Sequence, residues 1–180
     1  MLPECVISNN SEKGFVYANE KTFAYATSFI IRYNDPWRYD GIQSIKGKRI
    51  ATGPGWDYSS MSVYYKNYID DLNNSNLIEV IAGYDDVVKR IFRMIKENRV
   101  DSYADNDFVL QYVLNQLNLN DELKIVRPDL ERKLVGVPIF SKKLPQEKRQ
   151  KLIKIRNEGR LLIQNKKEKM LLEKYNLTFD

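Results

Sequence analysis

The stretch Lys48-Arg-Ile-Ala-Thr-Gly-Pro-Gly-Trp-Asp-Tyr-Ser-Ser60 decides how the rest of the chain is read. Arg49 to Thr52 has the composition of a short strand, Gly53-Pro54-Gly55 breaks it, and Ser59 stands where a following helix would be capped. Such a turn aims unpaired backbone N–H groups and the positive end of a helix dipole at whatever lies in front of it, which suits a small anion. A connection that binds nothing has the same local chemistry. The Lys-Ser/Thr ending of a nucleotide P-loop and the third glycine of a dinucleotide fingerprint are both missing, so those two readings are not indicated.

Downstream of this turn, strand and helix patterns alternate. Met61, Tyr64, Tyr65, Tyr68 and Ile69 recur at helical spacing until Asn73-Asn-Ser75, and Leu77 to Gly83 reads as a strand. Asp85 and Asp86 open a second helix, whose apolar positions Val87, Val88, Ile91, Phe92 and Ile95 keep the 3.6 period. Val100 to Ala104 is a further strand, Asp105-Asn-Asp107 caps the helix carrying Val109, Tyr112, Val113 and Leu117, and Leu123 to Val126 closes the series. Residues 48 to 127 therefore predict a βαβαβ unit with a parallel sheet. Upstream, Ala26 to Arg32 is the best strand of the first fifty residues, ended by the turn chemistry of Asn34-Asp-Pro36. Lys133 to Phe140 is a strand leading into the basic C-terminal helices.

Ligands of parallel sheets collect at the carboxyl ends of the strands. Three loops qualify: 53–60, 83–86 and 105–107. One presents N–H donors; the other two are rich in carboxylates and amides, the pairing that an amino acid zwitterion requires.

Composition removes several classes of function. With 180 residues, 43% hydrophobic and 29% charged, the chain is globular and can bury a core. It has no run long enough to cross a bilayer, and its first residues carry no signal-peptide pattern. A single Cys5 and the absence of histidine exclude an internal disulfide, the usual zinc sites and Ser-His or Cys-His catalytic pairs. No metal, cofactor or catalytic residue is expected. The net charge of +5 is concentrated after residue 141, in a segment that includes Lys148, Lys151, Lys154, Lys166 and Lys169. Leu152, Ile155, Leu162, Ile163, Met170, Leu171 and Leu172 interleave at three- and four-residue steps, which predicts a buried apolar face and a solvated basic one. Without interleaved aromatics, and with Glu147, Glu158, Glu168 and Glu173 among the cations, no nucleic-acid partner is expected.

Ser44-Ile-Lys-Gly-Lys-Arg-Ile50, the Gly55-Trp-Asp-Tyr58 loop, Gly83-Tyr-Asp-Asp86, Asn98-Arg-Val-Asp-Ser-Tyr103 and Val135-Gly-Val-Pro-Ile-Phe-Ser-Lys142, in this order, resemble the bacterial extracellular solute-binding proteins of the polar amino-acid type, the receptors of ABC transporters. The resemblance implies an α/β, type II periplasmic-binding-protein-like clamshell of two lobes. Lobe one, incomplete, would comprise residues 1–44 and 136–180, and lobe two residues 45–132. Strands near Phe29 to Tyr33 and Val135 to Ile139 would cross between them.

The same resemblance implies a non-catalytic protein that closes on an amino acid or similar small polar ligand, works as a monomer with a membrane permease, and resides in the periplasm. Lys13 would stand where the family places an arginine that clamps the ligand carboxylate. Tyr58, Ser59 and Ser60 would lie in the loop that also touches that carboxylate. The family's ammonium acceptor falls on Asn106; a shift of one residue would put Asp105 there instead. Trp56 and Tyr84 are candidate stacking aromatics, with Tyr17 and Tyr25 behind them, and Asp85 belongs to the second acidic loop. Two alternatives share the fold: a sensory or interaction module without tight binding, and an enzyme of the cyclohexadienyl dehydratase type, which would need a protonated carboxylic acid facing its substrate.

Overall fold

Short β-branched and aromatic runs between Gly, Pro and Asn punctuation become strands, and the 3.6-period segments become helices. The computed structural model describes residues 2–6, 14–21, 24–59, 62–84, 86–128 and 134–177. In chain order the strands and helices are β1 (Leu2–Val6), β2 (Phe15–Tyr17), β3 (Ala24–Tyr25), β4 (Thr27–Arg32), β5 (Ile50–Thr52), α1 (Val63–Asp70), β6 (Ile78–Val80), α2 (Val87–Lys96), β7 (Ser102–Asn106), α3 (Asp107–Leu117), β8 (Leu123–Val126), β9 (Leu134–Ser141), α4 (Gln146–Lys166) and α5 (Glu168–Tyr175). They fall into two compact units, residues 1–25 with 133–180, and residues 26–132. The boundary read at residues 44/45 lies inside the second unit, because β4 is built into that unit's sheet.

In the first unit, β9 is the shared partner of β1, β2 and β3, all antiparallel to it. Val137, Ile139 and Phe140 are fully buried along it. The long helix α4 does not present the faces expected from its sequence. Arg156 and Arg160 turn inward to the backbone carbonyls of Glu20 and Lys21, the second at 3.3 Å, and Arg160 pairs with Glu168 at 3.1 Å. Leu152, Ile155, Leu162 and Ile163 of α4, with Met170 and Leu171 of α5, remain exposed. The two guanidinium groups give these loop carbonyls donors that an apolar side chain cannot supply.

In the second unit the strand order is β6-β5-β7-β4-β8. Strands β5, β6 and β7 are parallel, as the βαβαβ pattern predicts. The sheet departs from that prediction at β4, which inserts antiparallel between β7 and β8. Period-two alternation gives each strand two faces. Ile30, Ala51 and Tyr103 point into a cluster with Ile91, Phe92, Ile95 and Leu110 of α2 and α3. Phe29, Ile50 and Ala104 point into another with Tyr58, Tyr65 and Ile45, backed by Trp37 and Tyr39. Phe29 stacks on Tyr39 at 4.7 Å and meets Trp37 and Tyr65 edge-on. A fully buried Phe of this kind contributes about 2–3 kcal/mol by the area it removes from water.

Two element boundaries move. The helix expected near Ser59 starts at Val63, capped by Ser62, whose Oγ accepts the Tyr65 N–H at 3.3 Å. Asp57 keeps the intervening loop folded on itself by accepting the Ser59 N–H and hydroxyl at 2.8 and 2.9 Å. The strand expected over 100–104 instead runs to Asn106, because β4 continues the ladder through Ser28↔Asp105 and Thr27↔Asn106. Among the described residues no helix is long and apolar enough to cross a membrane.

Candidate ligand-binding site

The carboxyl ends of β5 and β7 gather a small polar cluster on the second unit. Alternation along β7 puts Tyr103 and Asp105 on one face of the strand. The Tyr103 hydroxyl donates to Asp105 Oδ2, and the backbone N–H of Asn106 donates to Oδ1 at 2.7 Å. Burial pushes the Asp105 carboxyl above the usual carboxylate range, and these two donors only partly oppose it. Burial, followed by the charge of Asp105, pushes the Tyr103 phenol far up, so it stays a neutral donor.

From β5, the Thr52 hydroxyl lies 3.2 Å from the Tyr58 hydroxyl, both groups buried. Burial raises the Tyr58 phenol, and Asp105 is near enough to add to that shift. The Trp56 indole packs on Tyr103, ring centroids 5.8 Å apart and tilted by 46°. It is 36% exposed where its neighbours Tyr103 and Thr52 are buried.

Asn106 has another task. Its Oδ1 accepts the Phe108 N–H at 2.9 Å and caps α3, so this side chain serves the helix terminus. Asp107, 9% exposed, is raised by burial, against the lowering effects of a backbone hydrogen bond from Ala26 to its carboxyl and of the Arg127 charge.

Trp56, Tyr58 and Asp105 are thus brought together through Thr52 and Tyr103. Ser59 is adjacent in sequence, but its two donors are held by Asp57, whose carboxyl they lower. Asp57 thus takes up the donors that Ser59 would otherwise offer at this turn. Tyr84 is fully exposed on the neighbouring loop. Lys13, Ser60 and Asp85 lie outside the described residues. Sequence reasoning missed Thr52 and Tyr103 as site residues. The available signal was the alternation Tyr103-Ala104-Asp105, which pairs the phenol with the acid once the strand is extended past Ala104. No group of three or more metal-binding side chains is found among the described residues.

No family model matches the sequence, and comparison with curated proteins gives no match. Solved structures do match. An ancestral arginine-binding protein bound to arginine aligns with a TM-score of 0.61 and 17% identity over 94% of this chain and 68% of its own. The GluR0 ligand-binding core of Nostoc punctiforme with L-glutamate gives 0.58 and 19% over 94% and 69%. A structure from the study of glutathione import through GshT in Streptococcus mutans gives 0.61 and 18% over 94% and 66%. The chain spans about two thirds of the length of these neighbours. Its fold is that of the α/β, type II periplasmic-binding-protein-like domains.

Proposed function

We propose that the chain is a non-catalytic solute-binding module whose ligand is an amino acid or a similar small polar molecule carrying an ammonium group. The observation that carries this reading is Asp105, a half-buried carboxyl at the carboxyl end of β7 whose two donors among the described residues are neutral. An ammonium ion supplies the opposite charge that such a carboxyl lacks. Arginine and L-glutamate in two structural neighbours support the ligand class. On this reading Asp105, not Asn106, is the ammonium acceptor, with Trp56 and Tyr58 beside it. Lys13, Ser60, Asp85 and Tyr84 remain candidates for the rest of the ligand. Service to an ABC-type permease from the periplasm, as a monomer, extends the same proposal.

The raised carboxyls of Asp105 and Asp107 favour one second reading, an enzyme of the dehydratase type that holds a protonated acid against its substrate. Thermal melts of the 180-residue protein with each of the twenty amino acids and with a prephenate-like acid separate the two. A ligand at about a hundred times its dissociation constant adds roughly 2.7 kcal/mol, several degrees of melting temperature. Stabilisation without product supports the binding module; product from the cyclic acid supports the enzyme. A cooperative melt that nothing shifts refutes both and leaves the module without tight binding.

A further inference from the structure

Gly53 reads in the sequence as a turn glycine, yet it does not adopt the left-handed backbone that makes glycine necessary in turns; that role in this loop falls to Gly55, with φ 71°. What excludes a side chain at Gly53 is the indole of Trp56. A Cβ built there would lie 2.2 Å from one ring atom and 2.5 and 2.6 Å from two others. The ring therefore rests directly on the backbone of the strand end, and the backbone N–H of Trp56 donates to the Gly53 carbonyl at 3.3 Å. On another side the indole is braced by Tyr103, which holds Asp105. A large aromatic seated on glycine, packed against the tyrosine that holds Asp105 and still one third exposed, offers part of its surface to a ligand.

We infer that Trp56 is the platform on which the ligand's cationic group stacks, and that Gly53 is the positioning residue that sets the pose of the indole. The inference rests on the proposed binding of an ammonium-bearing ligand at Asp105. An ammonium or guanidinium held by the carboxylate comes within reach of the indole, and a cation over a tryptophan face gains both electrostatic and dispersion energy. The sequence pattern Gly53-Pro-Gly-Trp56 then has a purpose beyond chain reversal: the first glycine makes room, and the second turns the chain so that the tryptophan folds back.

The chain contains two tryptophans, so 5-fluorotryptophan labelling gives two fluorine resonances, and Trp56→Phe assigns them. The full chain is titrated with each of the twenty amino acids, following the fluorine spectrum, the melting temperature and the affinity. The amino acid that raises the melt is expected to move the Trp56 resonance and leave that of Trp37 in place. Trp56→Ala should weaken its binding about tenfold and Trp56→Phe by no more than about threefold. Gly53→Ala should shift the Trp56 resonance of the free protein and weaken binding several-fold, with Trp56 still present. If an amino acid raises the melt but neither moves the Trp56 resonance nor loses affinity in Trp56→Ala, the binding reading stands and the platform is wrong. If no amino acid changes either the melt or the resonance, both fall together.

Discussion

Asp101 immediately precedes β7 and Asp105 lies near its carboxyl end, and the protein surrounds them in opposite ways. Burial acts to raise the Asp101 carboxyl, but the side chain and N–H of Arg49 and the guanidinium of Arg32 outweigh it and bring the value down to about 2. Arg32 and Arg49 lie 3.0 and 2.9 Å from Oδ1, and the Arg49 N–H donates to Oδ2 at 2.9 Å. Asp35 extends the network through Lys48 at 3.2 Å. At the other end, Asp105 has a phenol and a backbone amide, and burial raises it. One end of the sheet is therefore closed by charges that satisfy each other inside the chain. The other holds a carboxyl with no cation of the chain among its donors, which is the feature the proposed function assigns to a ligand's ammonium group.

Removing Asp101 should have the largest effect. Asp101→Ala leaves two guanidinium groups and a backbone N–H without their acceptor and should lower stability by about 3 kcal/mol in denaturant melts. A loss below about 1 kcal/mol would break the comparison at its structural end. Asp105→Asn should act the other way on the free protein: it removes the cost of a desolvated charge and should stabilise it by about 1 kcal/mol, while ligand affinity drops by about 2 kcal/mol or more, beyond thirtyfold. Calorimetry and melts on one variant read both signs.

The pH dependence sharpens the contrast. Asp101 has its folded pKa below the unfolded value of about 3.9, so its stabilisation is complete above that value and disappears as pH falls through it toward about 2. Asp105 and Asp107 have raised pKa values, so they cost stability above those values and release it as pH falls toward the ordinary carboxylate range. Stability should hold or rise slightly from neutrality to about pH 4, then fall, and the fall should be shallower in Asp101→Asn. Ligand binding should weaken earlier, as Asp105 protonates. The smallest effect belongs to the first unit: Ile155→Lys on the exposed side of α4 should change stability by no more than about 0.5 kcal/mol.

Much of the second unit was legible because each of its helices carries a periodic apolar stripe between clear stop signals, as in Ile91, Phe92 and Ile95, all fully buried. The insertion of β4 between β7 and β8 was not legible, since pairing between distant segments leaves no mark in the spacing of either. The C-terminal helices differ for a related reason: an apolar stripe shows which side of α4 can be buried but not what is there to cover it, and contacts such as those of Arg156 and Arg160 with the carbonyls of Glu20 and Lys21 leave no mark in the spacing. At the site, Asp105 and Trp56 were visible as residue types in qualifying loops. Which of Asp105 and Asn106 shares a strand face with Tyr103 depended on strand length, a matter of ladder register that the Thr27↔Asn106 pair fixes. Tyr103 looked like core because it is core: its ring is buried and only its hydroxyl serves the acid.

The most direct test is a carbon-13 NMR titration that follows the side-chain carboxyls of Asp101 and Asp105 while the full chain is offered each of the twenty amino acids at neutral pH. At least one of them should move the Asp105 carboxyl resonance and lower its pKa toward the ordinary range, with Asp101 unchanged. An amino acid that binds while the Asp105 resonance and pKa stay where they were would contradict it.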